Sequence, residues 1–510
     1  MNLKKFGKKA LCAAVSATML VAMAPLSLAS GDVDYKITNP YAGVNFETYN
    51  TYKADLHSHT VFSDGGDTLP AMVERHYELG FDVLAITDHG TNFYGYTVQN
   101  KHHVPAMKIL GLIDNGAVID DVLDESGTAS NGNLYTVVKS ESGDEYYYQT
   151  LADGTKGQDM MSVPYGIENN PTSFNNAHVN SWFVEYGHGR VGGTSDYATP
   201  IKSVQKLGGL SVINHPGEYT NARDEIYTAD AYNKDDVSYR YKINKFETLL
   251  LENDTCIGID INSKGDSRTR FDRKLWDIML GDLIPQGRSV FAIATSDAHN
   301  LGIVDSGYTV HYMPSNTAAN LKSNMAKGEF FAASKYVGNY DEQVTLRDEL
   351  KAINAPEAQD MIASLDAIIA QSDIDHANGD SGAKYEAPAD AASPIFTNVV
   401  VDENEDTIAL TAENALVVHW IADGKVIHVG NTIDLDEYSD KIGSYVRAEA
   451  YGYGGVIYTQ AFVLDYDGAP EADPIGTFFD WGNIATIICD VPVRFLLNIL
   501  PLNLIAEIFG

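Results

Sequence analysis

Residues 54–65 read ADLHSHTVFSDG and residues 81–90 read FDVLAITDHG, and these two stretches decide the fold. In each of them a short apolar strand ends in a cluster of histidine and aspartate side chains. An amphipathic segment over 69–79 separates the two strands, as a helix separates neighbouring parallel strands. The sequence therefore predicts consecutive βα units whose strands carry polar side chains at their carboxyl ends.

The same alternation continues to about residue 340. A helix over 201–207 ends at Gly208-Gly209, and three apolar strands follow in order, at 210–213, 257–261 and 290–294. Each of these strands also ends beside polar residues. Strands separated by helices favour a parallel sheet, and the carboxyl ends of parallel strands meet at one edge.

One segment, at about 115–160, breaks this alternation. Residues 135–138 and 146–149 flank Ser142-Gly143-Asp144, which is the pattern of a β-hairpin. We interpret the segment as an inserted flap. It could shape a substrate pocket or be a passive surface hairpin.

The second part of the chain has a different pattern. Residues 341–373 have helical periodicity, and a polar linker follows over 372–393, so that 341–393 is predicted as a helical segment and linker. Residues 394–467 form short β-branched runs, with Asp423-Gly424 as a hairpin turn between two of them. This pattern predicts a small all-β sandwich.

The two ends of the chain indicate an exported protein. Basic residues, an apolar run and Ser27-Leu28-Ala29 are typical of a signal peptide over 1–29. The formal net charge of −35 over 510 residues argues against a nucleic-acid-binding surface. The apolar tail over 468–510 is interrupted by charges and prolines, which favours docking on the protein, a subunit contact or a weak membrane contact through 475–510. We therefore predict a secreted or extracytoplasmic protein.

The polar strand ends carry side chains that bind metals. His57 and His59 are two residues apart and project from one face of their strand, and Asp297 and His299 repeat this spacing. The full set at the strand ends is His57, His59, Asp64, Asp88, His89, His215, Asp297 and His299. Since Cys256 and Cys489 form no CxxC motif, imidazole and carboxylate must hold any metal. Such mixed ligands suit zinc, manganese or iron.

These motifs resemble those of the polymerase-and-histidinol-phosphatase (PHP) family. The matching stretches are 55–60, 63–65, 86–90, 209–216, 295–299 and 327–334. Together with Tyr445-Val446-Arg447-Ala448-Glu449 in the sandwich, the arrangement looks like the exported CehA/McbA-type branch, which includes a carbamate hydrolase. The resemblance implies a distorted seven-stranded (β/α) barrel over 30–340, an immunoglobulin-like sandwich behind it, and a site for two or three divalent metal ions.

The resemblance also implies two ligands that spacing alone does not reveal, namely Glu168 in Gly166-Ile167-Glu168 and His178 ten residues later. Carried over to this chain, one ion is held by His57, His59, Glu168 and Asp297, a second by Glu168, His178 and His215, and a third by Asp64, His89 and His299. Asp88 and Glu168 are the expected catalytic residues, with Asp88 orienting a neighbouring ligand. The rival candidates are Asp254, Asp260, Glu252, His102, His103 and His188.

The function expected from this site is hydrolysis of a small phosphate ester, either a monoester or a diester, by a metal-activated water. Positive side chains for the phosphate could come from Arg190, Arg223, Arg268 or Arg270. Two alternatives remain open. The same water could attack a carboxyl ester, amide or carbamate, or the chain could be a cell-surface binding protein that has lost catalysis.

Overall fold

The computed structural model describes residues 33–98, 122–169, 177–188, 197–219, 237–263, 272–377, 384–387 and 390–475. The predicted signal peptide and almost all of the apolar tail lie outside these ranges. So do several side chains considered above: His102, His103, Arg190, Arg223, Arg268 and Arg270. Among the helices within the described ranges, none is long and apolar enough to cross a membrane.

The first part of the chain alternates between strands and helices. Its strands are β1 (Lys36–Thr38), β2 (Asn50–Asp55), β3 (Val83–Leu84), β4 (Ser126–Thr128), β5 (Leu134–Lys139), β6 (Glu145–Thr150), β7 (Met160–Ser162), β8 (Ile167–Asn169), β9 (Val179–Trp182), β10 (Leu210–Ile213), β11 (Cys256–Asn262), β12 (Phe291–Ala294), β13 (Gly307–Met313), β14 (Phe330–Ser334) and β15 (Tyr336–Asn339). Its helices are α1 (Leu69–Glu78), α2 (Ala198–Leu207), α3 (Val237–Glu252), α4 (Asp272–Leu283) and α5 (Ala318–Lys327).

The second part begins with helices and continues with strands. The helices are α6 (Tyr340–Ile353) and α7 (Gln359–Ala377). The strands are β16 (Lys384–Glu386), β17 (Ile395–Asp402), β18 (Thr407–Glu413), β19 (Val417–Ala422), β20 (Lys425–Val429), β21 (Thr432–Asp434), β22 (Tyr445–Gly452), β23 (Gly455–Tyr458) and β24 (Phe462–Asp465).

Two sets of parallel strands form the core of the first part. β2, β3 and β7 are parallel to one another, and so are β10, β11 and β12. α1 connects β2 to β3, α3 connects β10 to β11, and α4 connects β11 to β12. Every residue of β10 and β11 is buried, as expected for parallel strands that are covered by helices. The predicted βα units are confirmed.

The mixed α/β class is confirmed, whereas the seven-stranded barrel stays a prediction. The parallel strands are divided between a 14-stranded sheet and a 5-stranded sheet. Backbone hydrogen bonds nevertheless join the strand ends. The N–H of His59 donates to the carbonyl of Ala298 at 2.9 Å, and the N–H of Glu168 donates to that of Thr87 at 3.0 Å. The ends of β2, β3 and β12 and the strand β8 therefore lie side by side.

Local sequence signals set the helix ends. α1 begins after Thr68, whose hydroxyl accepts the N–H of Ala71 at 3.3 Å. α2 ends at Gly208, whose φ of 79° is the left-handed conformation that glycine adopts without steric cost. The predicted stop at Gly208-Gly209 is therefore confirmed.

The predicted hairpin of the flap is also confirmed. β5 and β6 are antiparallel, with Val138 opposite Tyr146, and the turn lies at 140–144. β6 continues to β7, which pairs with β3. The hairpin is thus an extension of the main sheet.

The helical segment agrees with its prediction except at its end. α6 and α7 cover the residues with helical periodicity, but α7 continues to Ala377. The linker predicted from residue 372 therefore begins later. It also includes β16, which pairs with β15. The Ala- and Asp-rich composition of the predicted linker, residues 372–393, suits a continued helix as well as a linker, because alanine has the highest helix propensity.

The strands after residue 394 form two layers. β17, β18 and β21 make a three-stranded antiparallel sheet, while β19, β20, β22, β23 and β24 belong to the large sheet. Phe396 and Ile408 of the first layer share one buried cluster with Trp420 and Phe462 of the second, as expected of a small sandwich. The predicted turn is present, since Asp423 and Gly424 both have positive φ, 47° and 71°.

Two pairings cross between the parts of the chain. β1 near the start pairs with β24, and β14 pairs with β23. The large sheet thus continues from the strands of the first part into those of the second. The sequence pattern of each strand, taken on its own, does not indicate either pairing.

Candidate metal centre

β2 leads into His57 and His59, the first pair of predicted ligands. Both imidazoles are fully buried, and their Nε2 atoms lie 3.0 Å apart. Two nitrogens that bind one ion at about 2.0–2.1 Å each lie about 3 Å from one another, so the pair fits a shared cation. Asp297 joins them, because its Oδ1 lies 3.4 Å from Nε2 of His57 and 3.1 Å from Nε2 of His59.

Three groups of candidate ligands have nitrogen or oxygen atoms within 4.8 Å of one another. Each group mixes imidazole and carboxylate, and neighbouring groups share a histidine. The groups are His57, His59 and Asp297; His59, Asp64, His89 and His299; and His89, Glu168 and His178. The donor set fits transition-metal ions. The structure thus brings together eight of the nine predicted ligands.

Glu168 lies where these groups meet. Its Oε2 is 3.4 Å from His57 Nε2, 3.3 Å from His59 Nε2 and 3.0 Å from His89 Nδ1. Its Oε1 is 2.8 Å from Nδ1 of His178. The two oxygens of one carboxylate therefore face different imidazoles, which is the arrangement that a bridging ligand needs.

His215, the ninth predicted ligand, lies at the edge of the cluster. Its Nε2 is 3.6 Å from Glu168 Oε1 and 3.5 Å from Asp297 Oδ2, and it belongs to none of the three groups. His215 and Asp297 both have positive φ, 27° and 46°. Non-glycine residues adopt this conformation at a cost, and such strain concentrates at functional sites.

Asp64 and His299 form the more exposed side of the cluster. Oδ2 of Asp64 lies 3.3 Å from Nε2 of His299 and 3.4 Å from Nε2 of His89. Although burial opposes it, hydrogen bonds from His299 and His89 hold the pKa of Asp64 well below its usual range. Asp64 is therefore ionised and available as a ligand.

The histidines differ in their protonation without metal. Burial lowers the pKa of His178 to about 4, so its imidazole is neutral near pH 7. Burial acts in the same direction on His89, but the carboxylates of Glu168 and Asp64 outweigh it and raise the pKa of His89 to about 9. A bound cation would take the place of such a proton among the same carboxylates.

Asp88, predicted to orient a ligand, lies outside the three groups. Its carboxylate accepts hydrogen bonds from the Thr60 N–H at 2.8 Å and from the Ser63 hydroxyl at 2.6 Å. The Ser63 oxygen in turn lies 3.2 Å from Nδ1 of His59. Asp88 is therefore connected to His59 through Ser63, which is the geometry of an orienting residue.

The rival residues that the structure describes lie outside the three ligand groups. Asp260 is buried but accepts hydrogen bonds from Thr295 Oγ1 and, at 3.1 Å, from the Asn262 N–H. His188 Nδ1 accepts the Asn92 N–H at 3.1 Å, and Glu252 pairs with Lys202 at 3.1 Å. Asp254 belongs to none of the ligand groups either.

Sequence reasoning missed one polar contact to the centre. The side-chain amide of Asn214 donates to Glu168 Oε1 at 2.8 Å, and Asn214 is fully buried. The only signal was its place directly before His215. An asparagine before a histidine has many structural roles, so the contact could not be inferred from the motif.

The fold and the ligand set define a metal-dependent hydrolase: closely spaced imidazoles and carboxylates gather where parallel strands end. Residues 55–152 match the family model of the PHP domain. This stretch of the chain is therefore similar to the PHP domain. The matched range includes His57, His59, Asp64 and His89, while the other predicted ligands follow it in the chain.

The solved structures that the chain matches include PsfC from Pseudomonas syringae. The two are 14% identical, the match covers 54% of this chain and 88% of that one, and the TM-score is 0.29. A two-domain protein from Bacteroides vulgatus, described as containing a predicted PHP-like metal-dependent phosphoesterase, is 13% identical over 86% of this chain and 91% of that one, with a TM-score of 0.32. A lesion-specific endonuclease from Pyrococcus furiosus is 13% identical. The match covers 54% of this chain and 56% of that one, and the TM-score is 0.27. A search of curated proteins found no significant match. Similarity at this level does not assign an activity.

Proposed function

We propose that the protein is an exported phosphoesterase of the CehA/McbA type that uses a metal-activated water on a small anionic substrate. The observation that carries the proposal is the position of Glu168, whose two oxygens face histidines of different ligand groups. A carboxylate in that position suits two neighbouring cations. We propose the seven-stranded barrel and the immunoglobulin-like sandwich as its scaffold.

The residues that would hold the ions are those of the three groups together with His215. One ion would be held by His57, His59, Glu168 and Asp297, a second by Glu168, His178 and His215, and a third by Asp64, His89 and His299. When bound, zinc, manganese or iron lowers the pKa of a water and stabilises charge on phosphoryl oxygens.

Two further residues, Asp88 and Asn214, orient the ligand side chains through hydrogen bonds. Asp88 holds Ser63 against His59, and Asn214 holds one oxygen of Glu168. Both contacts fix the direction of a ligand before any ion binds, which reduces the rearrangement that binding requires. Burial of His57, His59 and Glu168 keeps bulk water from competing with the ligands.

The same water could attack a carboxyl ester, amide or carbamate, so substrate class has to be tested. The experiment compares para-nitrophenyl phosphate, bis-para-nitrophenyl phosphate and para-nitrophenyl acetate on the full chain after reconstitution with manganese or zinc. We expect two or three ions per chain by elemental analysis and metal-dependent turnover of a phosphate ester.

If only para-nitrophenyl acetate were turned over, the protein would be a carboxyl-ester hydrolase and the proposed phosphoesterase activity would be wrong. Fewer than one ion per chain would contradict the metal centre itself. Metal binding without turnover of any ester would favour a binding protein. Export is tested separately, by the N-terminal sequence of the protein recovered outside the cytoplasm, which should begin near residue 30.

A further inference from the structure

A polar cavity of about 270 Å³ lies where helices α4 and α6 meet strands β19, β20 and β22. It is separate from the candidate metal centre, because no residue of the three ligand groups lines it. Half of the residues that line it are charged. The volume is several times the about 30 Å³ that one liquid water occupies. Junctions between parts of a chain are a common place for small-molecule sites, so the cavity has room for more than a single ordered water.

Two buried ion pairs form part of the cavity wall. Arg447 contacts Asp277 through two hydrogen bonds of 2.7 Å and also donates to Oε1 of Glu449. Arg273 Nε donates to Oε1 of Glu342 at 2.7 Å. All five side chains are buried. Their charges are therefore compensated within the protein.

His419 is a lining residue with one ring nitrogen still unused. Although burial opposes it, the guanidinium of Arg447 lowers the pKa of Glu449 to about 2, so Glu449 is an ionised acceptor. Nε2 of His419 donates to this carboxylate at 3.2 Å, and the ring stacks on Tyr451 with centroids 5.3 Å apart. Nδ1 is buried and has no hydrogen-bond partner among the described residues. Such an atom is costly to leave unpaired, and a molecule bound in the cavity would supply its partner.

The uncompensated charge around the cavity is mainly positive. Lys274 is half-buried, Lys425 is exposed, and neither ammonium forms an ion pair with a described residue. A β-carbon at Gly424 would lie 2.7 Å from Nζ of Lys274, so this glycine leaves room for the ammonium at the cavity wall. Among the described acidic residues of the lining, Glu349 alone has no ion pair, and burial raises its pKa. Two lysines thus face one weakened carboxylate, which favours an anion.

We propose that this cavity binds a small hydroxylated organic anion, the class to which sugar acids and sugar phosphates belong. The carboxylate or phosphate of the ligand would pair with Lys274 and Lys425, and one of its hydroxyls would bind Nδ1 of His419. A hydroxyl both donates and accepts, so it suits Nδ1 in either protonation state of the ring. Because Lys425 is exposed, the cavity reaches solvent and a ligand can enter. The inference goes beyond the proposed hydrolase activity and does not depend on it.

The first test is isothermal titration calorimetry on the full chain, dialysed against EDTA and then against buffer so that no metal binds the probe. D-gluconate and D-glucose 6-phosphate carry both hydroxyls and an anionic group, and they distinguish a carboxylate from a phosphate. D-glucose carries the hydroxyls alone and inorganic phosphate the charge alone. We expect at least one of the two hydroxylated anions to bind at one site per chain, about tenfold or more tightly than glucose and phosphate. If neither binds more tightly than both of these controls, the proposal is wrong.

The second test places the bound anion. Lys274→Ala should weaken its binding by about tenfold or more, because a charge-assisted contact is lost. Lys206→Ala is the matched control, since Lys206 is an exposed lysine of α2 outside the cavity, and its affinity should stay within about twofold of the wild type. Should Lys274→Ala fail to fold, Lys425→Ala makes the same test at an exposed position. Wild-type affinity in the folded lysine variants would show that the anion binds elsewhere and would overturn the proposal.

Discussion

Among the single residues, Glu168 determines how closely the ligand groups can approach one another. It is fully enclosed, with an exposed fraction of 1%, and its contacts within the described centre reach five histidines: His57, His59, His89, His178 and His215. Those histidines and Asn214 come from four separate stretches of the chain. A change at Glu168 should therefore affect several ligand groups at once.

We expect Glu168→Gln to lose bound metal together with turnover, because a neutral amide is a poor bridge between two cations. The loss of metal affinity should be about 10–100-fold or more. Elemental analysis and steady-state kinetics measure the two effects. Glu141→Gln, in the exposed turn of the flap, is the control and should change stability by about 0.5 kcal/mol or less. Full metal content in Glu168→Gln would show that another carboxylate bridges the ions.

Metal affinity should rise with pH, because His89 has to release a proton to bind an ion. The folded-state pKa of His89, about 9, is above the ordinary value of 6.5. In the metal-free chain, protonated His89 therefore stabilises the folded state fully below pH 6.5, and this stabilisation is lost as the pH rises through about 9. Zinc titrations in buffers of different ionisation enthalpy at pH 7.5 should show proton release. Affinity that is independent of pH between 6.5 and 9 would contradict this assignment.

At the scale of secondary structure, the ends of the helices determine where the strands begin. α2 stops at Gly208 and β10 starts two residues later, so this turn sets the start of the strand that leads to His215. Gly208 has a φ of 79°, and no heavy atom lies within 4 Å of a β-carbon placed there. Backbone conformation, and not space, therefore requires glycine at this position.

We expect Gly208→Ala to destabilise the protein by about 1–2 kcal/mol, the cost of a left-handed conformation for an L-residue. Gly281→Ala is the matched control, since Gly281 lies inside α4, also has open space around it and has no positive φ. The control should stabilise the protein by about 0.5–1 kcal/mol. Urea denaturation measures both changes. Equal effects of the two substitutions would contradict the conformational explanation.

At the scale of the whole molecule, the C-terminal layer is joined to the first part by a buried ion pair. Arg447 on β22 contacts Asp277 on α4 through two hydrogen bonds, Nε to Oδ1 and Nη2 to Oδ2, each 2.7 Å long. Tyr445 donates to the same carboxylate at 2.8 Å. Farther along, the Asn262 side-chain amide at the end of β11 donates to the Tyr458 hydroxyl of β23 at 3.3 Å.

We expect Arg447→Ala to destabilise the protein by about 3–5 kcal/mol, because it leaves the Asp277 carboxylate buried without its cation. Arg347→Ala, which removes a surface pair with Asp348, is the control and should cost about 0–1 kcal/mol. Denaturant unfolding measures both. If the two variants were equally stable, the buried pair would contribute little to the junction between the parts of the chain.

The sequence by itself predicted the chemistry of the centre. Histidine and aspartate at the ends of β2, β3, β10 and β12 were visible as motifs, and within each of the two sheets the carboxyl ends of parallel strands lie at one edge. The helix stop at Gly208 and the turn at Asp423-Gly424 were visible for a similar reason. Both depend on the conformational preferences of single residues.

Only the tertiary structure decided the contacts between distant segments. The pairings of β1 with β24 and of β14 with β23 depend on register over hundreds of residues, which no local pattern records. The position of Glu168 among five histidines likewise depends on how strand ends from separate βα units meet. Residue type is a local property, whereas the distance between two side chains is set by the packing of the whole chain.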